Sequence, residues 1–181
     1  MAFELDADPT SATMNSYATI AEADDYFAGR FDPLDDEDDG NTKWAGFSDS
    51  KKAALLVTAS RELDTFNYGG LQVAPDQPMQ WPRTNIYGRD SSYIYPSDEL
   101  PALLKQACFE LAYWKWTESD RAFSDTDIEQ LESYKAGPVD YKAKAGAKNF
   151  PRIVLDLINS IGPGTLISTG SASASAKRIQ L

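Results

Sequence analysis

The chain has 181 residues, 42% of them hydrophobic and 25% charged, with no histidine and a single cysteine, Cys108. That composition suits one domain with a real core. It excludes an internal disulfide, a cysteine metal cluster and every Ser-His-Asp or Cys-His mechanism. The net charge of −11 is unevenly placed: residues 1–133 hold 26 acids and 10 bases, and residues 134–181 hold 2 acids and 7 bases.

An acidic body is poorly suited to wrapping nucleic acid, which wants a basic face. It is well suited to meeting a basic segment of another chain. No apolar run reaches the roughly 18 residues of a membrane span, and MAFELDADPT lacks the basic and apolar regions of a signal peptide. Synthesis in the cytosol is therefore expected. Neither G-x-x-x-x-G-K-[ST] nor G-x-G-x-x-G occurs, so the usual phosphate cradles are missing. The expectation is a protein that is not an enzyme and holds neither metal nor cofactor.

Residues 1–16 have no periodicity and are predicted to form an extended arm. Thr19 with Glu22 three residues on makes a capping box, so a first helix is predicted from Ile20 to Gly29, burying Ile20, Ala23 and Phe27. Residues 32–39 hold six acids in eight positions. Asp35-x-Glu37-x-Asp39-Gly40 mimics the start of a calcium loop, but Gly46 stands where the bidentate Glu is needed, so a solvated acidic loop is the reading. Trp44 returns that loop to the core. Ser48 caps a second helix with Ala53, Leu56, Leu63 and Phe66 on one face, stopped by Gly69-Gly70. The stretch 71–96 is rich in Pro, Gly, Asn and Asp and reads as loop. Within it, Trp81 before Pro82 and Arg83 reads as a staple across two helices; a Trp beside an Arg can also stack a base.

The longest apolar pattern is Pro101–Trp116, with Leu104, Ala107, Cys108, Leu111 and Trp114 at helical spacing. This is the predicted central helix, and Cys108 on its stripe is a buried, inert thiol. The predicted core joins Phe27, Leu56, Leu63, Phe66, Leu104, Cys108, Leu111 and Trp114, with Trp81 covering them. Glu118–Glu129 is polar with a short helical turn. Around Gly137-Pro138, residues 131–144 change to strand-like spacing and predict a hairpin. Pro151 starts a last helix to Ile161. The fold class is mainly α: a small helical bundle over 17–161, with a short β-hairpin and an extended C-terminal tail over 162–181.

The order of landmarks carries a resemblance. Tyr17-Ala-Thr-Ile-Ala-Glu-Ala-Asp-Asp-Tyr-Phe27 is followed by Trp44, Ala59-Ser-Arg-Glu-Leu-Asp64, Gly69-Gly70, Gln80-Trp81-Pro82-Arg83, Pro96, Pro101 and Gly137-Pro138-Val139. Over about Tyr17 to Ile161 this resembles a family of small tailed-phage proteins, labelled DnaT-like single-stranded-DNA-binding proteins. It is also similar to phage head–tail connector, or adaptor, proteins.

The adaptor resemblance implies a structural subunit of the virion, assembled in the host cytoplasm. It would form a ring of copies, commonly twelve, that docks on the portal protein and leads double-stranded DNA to the tail or tail-terminator proteins without specific binding. No membrane is involved. The family label implies single-stranded-DNA binding instead, with Trp81, Arg83, Lys135, Lys142, Lys144 and Lys148 as its best residues. The acidic body favours the adaptor, because channel walls must let DNA slide. On that reading the Ser/Ala-rich tail attaches the subunit to the portal or a neighbour. Leu166 and Ile167 serve as the proximal anchor, Lys177 and Arg178 as the charged contact, and Ile179 and Leu181 as the distal plug.

Overall fold

The computed structural model describes residues 4–30, 44–90, 94–121, 133–136, 139–142 and 150–168, with the backbone path alone at 118–121, 133–136, 139–142 and 168. The helices are α1 (Ile20–Ala28), α2 (Asp49–Leu63), α3 (Ala102–Arg121) and α4 (Arg152–Asn159), with a 3₁₀ turn at Trp44–Gly46. The strands are β1 (Asn67–Tyr68), β2 (Leu71–Gln72), β3 (Arg83–Thr84), β4 (Ser133–Ala136), β5 (Val139–Lys142) and β6 (Leu166–Ser168). They form three two-stranded antiparallel sheets, pairing β1 with β6, β2 with β3 and β4 with β5.

The helix boundaries follow from side chains near their ends. The Thr19 hydroxyl accepts from the Glu22 N–H and the Glu22 carboxylate accepts from the Thr19 N–H, completing the predicted capping box. Ser48 caps α2 by accepting from the Lys51 N–H. Pro101 precedes α3, where a missing N–H costs nothing.

Helix α3 is the centre of the bundle, with α2 and α4 packed against it and α1 lying across α2 and α3. Leu104 and every residue from Ala107 to Tyr113 are buried, so this helix is covered around most of its circumference rather than along one stripe. Of the predicted core, Leu56, Leu63, Phe66, Trp81, Leu104, Cys108 and Leu111 are buried, whereas Phe27 and Trp114 are half-buried at its margin. The margin is aromatic: the Phe27 ring lies 4.7 Å from that of Trp44 and 5.6 Å from that of Tyr113. Residues that cover a core from its rim keep one face wet.

Three segments differ from their sequence-based expectations. The N-terminal segment is not an extended arm. Met14, Ser16, Tyr17 and Ala18 are buried, and Asp6 gathers the preceding turn by accepting from the Ser11 and Thr13 hydroxyls. Such a turn is built from bonds among short polar side chains and leaves no hydrophobic period to read. The stretch 71–96 is more than loop: it contains β2, β3 and a bridge between Tyr87 and Ile94, and its Trp81–Pro82 peptide is cis. The C-terminal tail does not leave the body at Gly162. Leu166 pairs with Tyr68 and Ser168 with Asn67, and the Gly69 N–H donates to the Thr165 carbonyl. The acidic loop at 32–39 lies outside the described residues, as do 169–181.

Candidate nucleic-acid interface

A single-strand binder needs exposed aromatic faces beside free cations. Trp81 and Arg83, the first pair to suit that role in the sequence, are both turned inward. Trp81 is 1% exposed and its ring meets that of Tyr68 edge-on at 5.6 Å. Arg83 is 7% exposed. Its guanidinium donates to the carbonyls of Gly69 (2.6 Å), Gln80 (3.0 Å), Gly70 (3.2 Å) and Tyr68 (3.3 Å), and to the Gln80 side-chain oxygen (3.0 Å). Every nitrogen of the fork is thus engaged by the turns that carry β1 into β2 and Gln80 into β3. Burial lowers its pKa. Neither residue can reach a nucleic acid without unfolding this corner.

The other landmarks join the same scaffold. The Tyr17 hydroxyl donates to the Asp64 carboxylate, which also accepts from the Gln80 N–H at 2.8 Å. Burial raises the pKa of Asp64 despite these donors, and raises that of Tyr17 well above the usual phenol range. The Ser60 hydroxyl accepts from the Tyr17 N–H at 2.9 Å and lies 3.3 Å from the Cys108 sulfur. Burial pushes the Cys108 thiol up to about 12, the inert state read from the sequence. Tyr17, Ser60, Asp64, Gln80 and Arg83 therefore tie the N-terminal segment, the end of α2 and the 71–96 segment together.

A second buried polar centre escaped the sequence. Glu110 on α3 is 4% exposed. It accepts from the Tyr26 hydroxyl at 2.6 Å and from Arg30 Nε at 2.9 Å and Nη2 at 3.0 Å. The Arg30 guanidinium also lies over the Tyr113 ring, 4.8 Å from its centroid. The only signal was a lone acid inside an apolar run with an Arg just beyond the end of α1. The fork fits a carboxylate bidentately and pins that end of α1 to the central helix.

The remaining body cations are largely answered by acids or rings of the body. Lys52 pairs with Asp24 at 2.9 Å, and the Trp44 indole N–H donates to the same carboxylate at 2.7 Å. Lys105 pairs with Glu22 at 2.5 Å and Lys115 with Glu62 at 2.6 Å. Lys51 lies 3.9 Å from the Phe47 ring centre, and Arg89 donates to the Ser160 hydroxyl at 2.8 Å. Arg61 stands exposed on α2.

The cationic excess lies further along the chain. In the hairpin, Ser133 faces Lys142, Tyr134 faces Tyr141 and Lys135 faces Asp140 in the backbone register. Lys135 and Lys142 thus fall in one small sheet with a cross-strand tyrosine pair. Lys144 and Lys148 follow in sequence and lie outside the described residues. Of the predicted tail contacts, Leu166 packs against the core of its own chain, so it is not a free anchor. Ile167 is 69% exposed. Lys177, Arg178, Ile179 and Leu181 lie outside the described residues. Among the described residues no group of three or more acids, cysteines or histidines could hold a metal ion, and no helix is long and apolar enough to cross a membrane.

The chain matches one family model, described as "Putative DnaT-like ssDNA binding protein", over residues 1–179. No curated protein and no solved structure matches it. With nearly its whole length matched, the chain belongs to that family.

Proposed function

We propose that this member of the DnaT-like family is a non-catalytic, single-stranded-DNA-binding protein whose contact is the β4–β5 hairpin and the lysines that follow it. One observation carries the reading: the segregation of cations. Those of the helical body are largely turned onto its own carboxylates, rings and carbonyls. Lys135, Lys142, Lys144 and Lys148 instead belong to a segment with 7 bases against 2 acids, and the hairpin register sets Tyr134 opposite Tyr141. A segment rich in both lysine and tyrosine offers the two elements such binding draws on: charge follows the phosphates and rings stack bases without regard to sequence. The family's description supports the same reading. The acidic body would repel the strand elsewhere and confine it to the hairpin.

The direct test is binding to a fluorescent oligonucleotide over a salt series. Engagement of four lysines predicts a log–log slope of about −3 for a single strand. Changing Lys135 and Lys142 to Glu should flatten that slope and leave the melting temperature in place.

A second reading is favoured by the acidity of the body. On it, the chain is a head–tail adaptor of a tailed bacteriophage. A ring of copies sits under the portal and passes double-stranded DNA without gripping it, and Ile167 with the basic residues near 177–178 supplies attachment. Electron microscopy of the protein mixed with its cognate portal separates the two: decorated portal rings support the adaptor, and bare ones oppose it.

A further inference from the structure

The N-terminal turn and the segment after β2 enclose an open cavity of about 340 Å³. Pro9, Val73, Pro78 and Pro82 supply apolar walls, and Asp76 and Asp98 stand among the lining residues. Both walls are braced before anything binds. The Gln77 side chain accepts from the Val73 and Ala74 N–H groups at 2.9 and 3.1 Å and donates to the Met79 and Pro82 carbonyls at 2.6 and 3.1 Å. The opposite wall is held by Asp6 through Ser11 and Thr13, and by Asp8, which accepts from the Thr10 N–H and hydroxyl. Prolines and braced side chains leave little to reorder on binding, which lowers its cost.

The chemistry of the lining decides what the cavity takes. Its carboxylates are unanswered: no lysine or arginine lines it, and neither the Asp76 nor the Asp98 side chain has an ion-pair or hydrogen-bond partner among the described residues. Elsewhere the body answers its acids, as Arg30 does Glu110 and Lys52 does Asp24. A phosphate would meet two carboxylates and no cation here, so the cavity does not suit a nucleic acid. The surface leading to it is apolar, with Val73 46% exposed and Leu71, two residues earlier in the chain, 64% exposed. The cavity is also open, whereas a site for a free small molecule buries about 70–90% of its ligand. An open apolar recess with an acidic rim suits a cationic side chain carried in by a larger partner.

We propose that this cavity is a docking site for a partner protein that inserts an arginine flanked by apolar residues, with the arginine stem among the prolines and its guanidinium against Asp76 and Asp98. Arginine suits the place better than lysine, because its planar, weakly hydrated head packs on apolar walls while it bonds carboxylates. The proposal does not rest on either reading of the DNA chemistry.

The test is fluorescence polarisation with the full chain and a labelled Gly-Leu-Arg-Leu-Arg-Gly peptide, at about 150 mM salt, where long-range attraction to the acidic body is screened. The peptide should bind saturably with a Kd below about 1 mM. Asp76→Asn with Asp98→Asn should weaken binding about tenfold, because two charge contacts are lost. Asp25→Asn with Asp49→Asn removes the same net charge at exposed positions elsewhere and should change the Kd by less than about twofold. A Gly-Gly-Arg-Gly-Arg-Gly peptide, charged but without leucines, should bind about tenfold more weakly than the first. Circular dichroism checks that the variants fold, and either groove substitution made alone serves if the pair does not. Absence of saturable binding overturns the proposal, as does an equal loss in the two charge variants. So does binding that tightens about tenfold in Lys177→Glu with Arg178→Glu, which would assign the cavity to the chain's own basic end instead of a foreign partner.

Discussion

Arg83→Ala separates a structural arginine from a DNA contact. In the native chain the guanidinium donates to four backbone carbonyls and one side-chain oxygen while almost wholly buried. The bonds at 2.6 and 3.0 Å, to Gly69 and Gln80, are the best formed. A hydrogen bond to a charged group contributes about 1.5–3 kcal/mol, so losing those two costs about 3–6 kcal/mol. The longer bonds to Tyr68 and Gly70 add less, since water entering the vacated space can replace them in part. For a chain of this size about 1 kcal/mol corresponds to 2–4 °C, so the melting temperature should fall by about 6–24 °C. Lysine at this position keeps the charge but not the fork and should recover only a minor part. The assay is thermal unfolding by circular dichroism, paired with oligonucleotide binding well below the transition. A variant that melts within about 2 °C of wild type yet loses DNA affinity would refute the reasoning.

Other perturbations test the remaining features. Leu111→Ala opens a cavity in the fully buried centre of α3 and should cost about 2–5 kcal/mol in denaturant unfolding. Gly162→Ala sets a Cβ into the Tyr87 carbonyl, which is backbone and cannot turn aside. The strain should cost about 1–3 kcal/mol in the same assay. Cys108, buried and with its thiol raised to about 12, should resist a thiol-labelling reagent until the chain is unfolded. Burial raises the Glu22 carboxyl, but Lys105 and the Thr19 cap outweigh it and hold the pKa below its ordinary value. Its contribution is therefore fully present above the ordinary carboxylate range and is lost as pH falls through the lowered value. Melting curves of wild type and Glu22→Gln should differ at neutral pH and converge as pH falls below that lowered value.

The helices and the hairpin were legible because each carries its own signal: a capping box at Thr19, a cap at Ser48, prolines before the long apolar run and before the last helix, and β-type spacing around Gly137. What escaped was set by local polar contacts without a hydrophobic period or by partners distant in sequence. Asp6 organises the N-terminal turn through hydroxyls five and seven residues away, a pattern without hydrophobic period. β1 and β6 are too short to show alternation, and they find each other across the whole central helix. The candidate site was partly misread for a related reason. A Trp-Pro-Arg run looks alike whether its ring and fork face solvent or the core, and only the carbonyls of Tyr68, Gly69 and Gly70, brought round by the β1–β2 turn, decide between them. The tyrosine pairing in the hairpin likewise needed the register, because the sequence places Tyr134 and Tyr141 seven residues apart without saying which residue each one faces.

The central claim is that the body uses its cations internally and leaves the hairpin segment to meet a single strand. The measurement that bears on it most directly is the affinity for a fluorescent oligonucleotide, titrated from about 50 to 200 mM salt, for wild type, Arg83→Lys and the Lys135→Glu/Lys142→Glu variant. The account predicts that wild type binds at low salt and weakens steeply as salt rises. Arg83→Lys follows the same curve wherever it remains folded, and the hairpin variant loses both affinity and slope. Absence of wild-type binding at about 50 mM salt, where the electrostatic attraction is still strong, would contradict it, as would a hairpin variant that binds as wild type does.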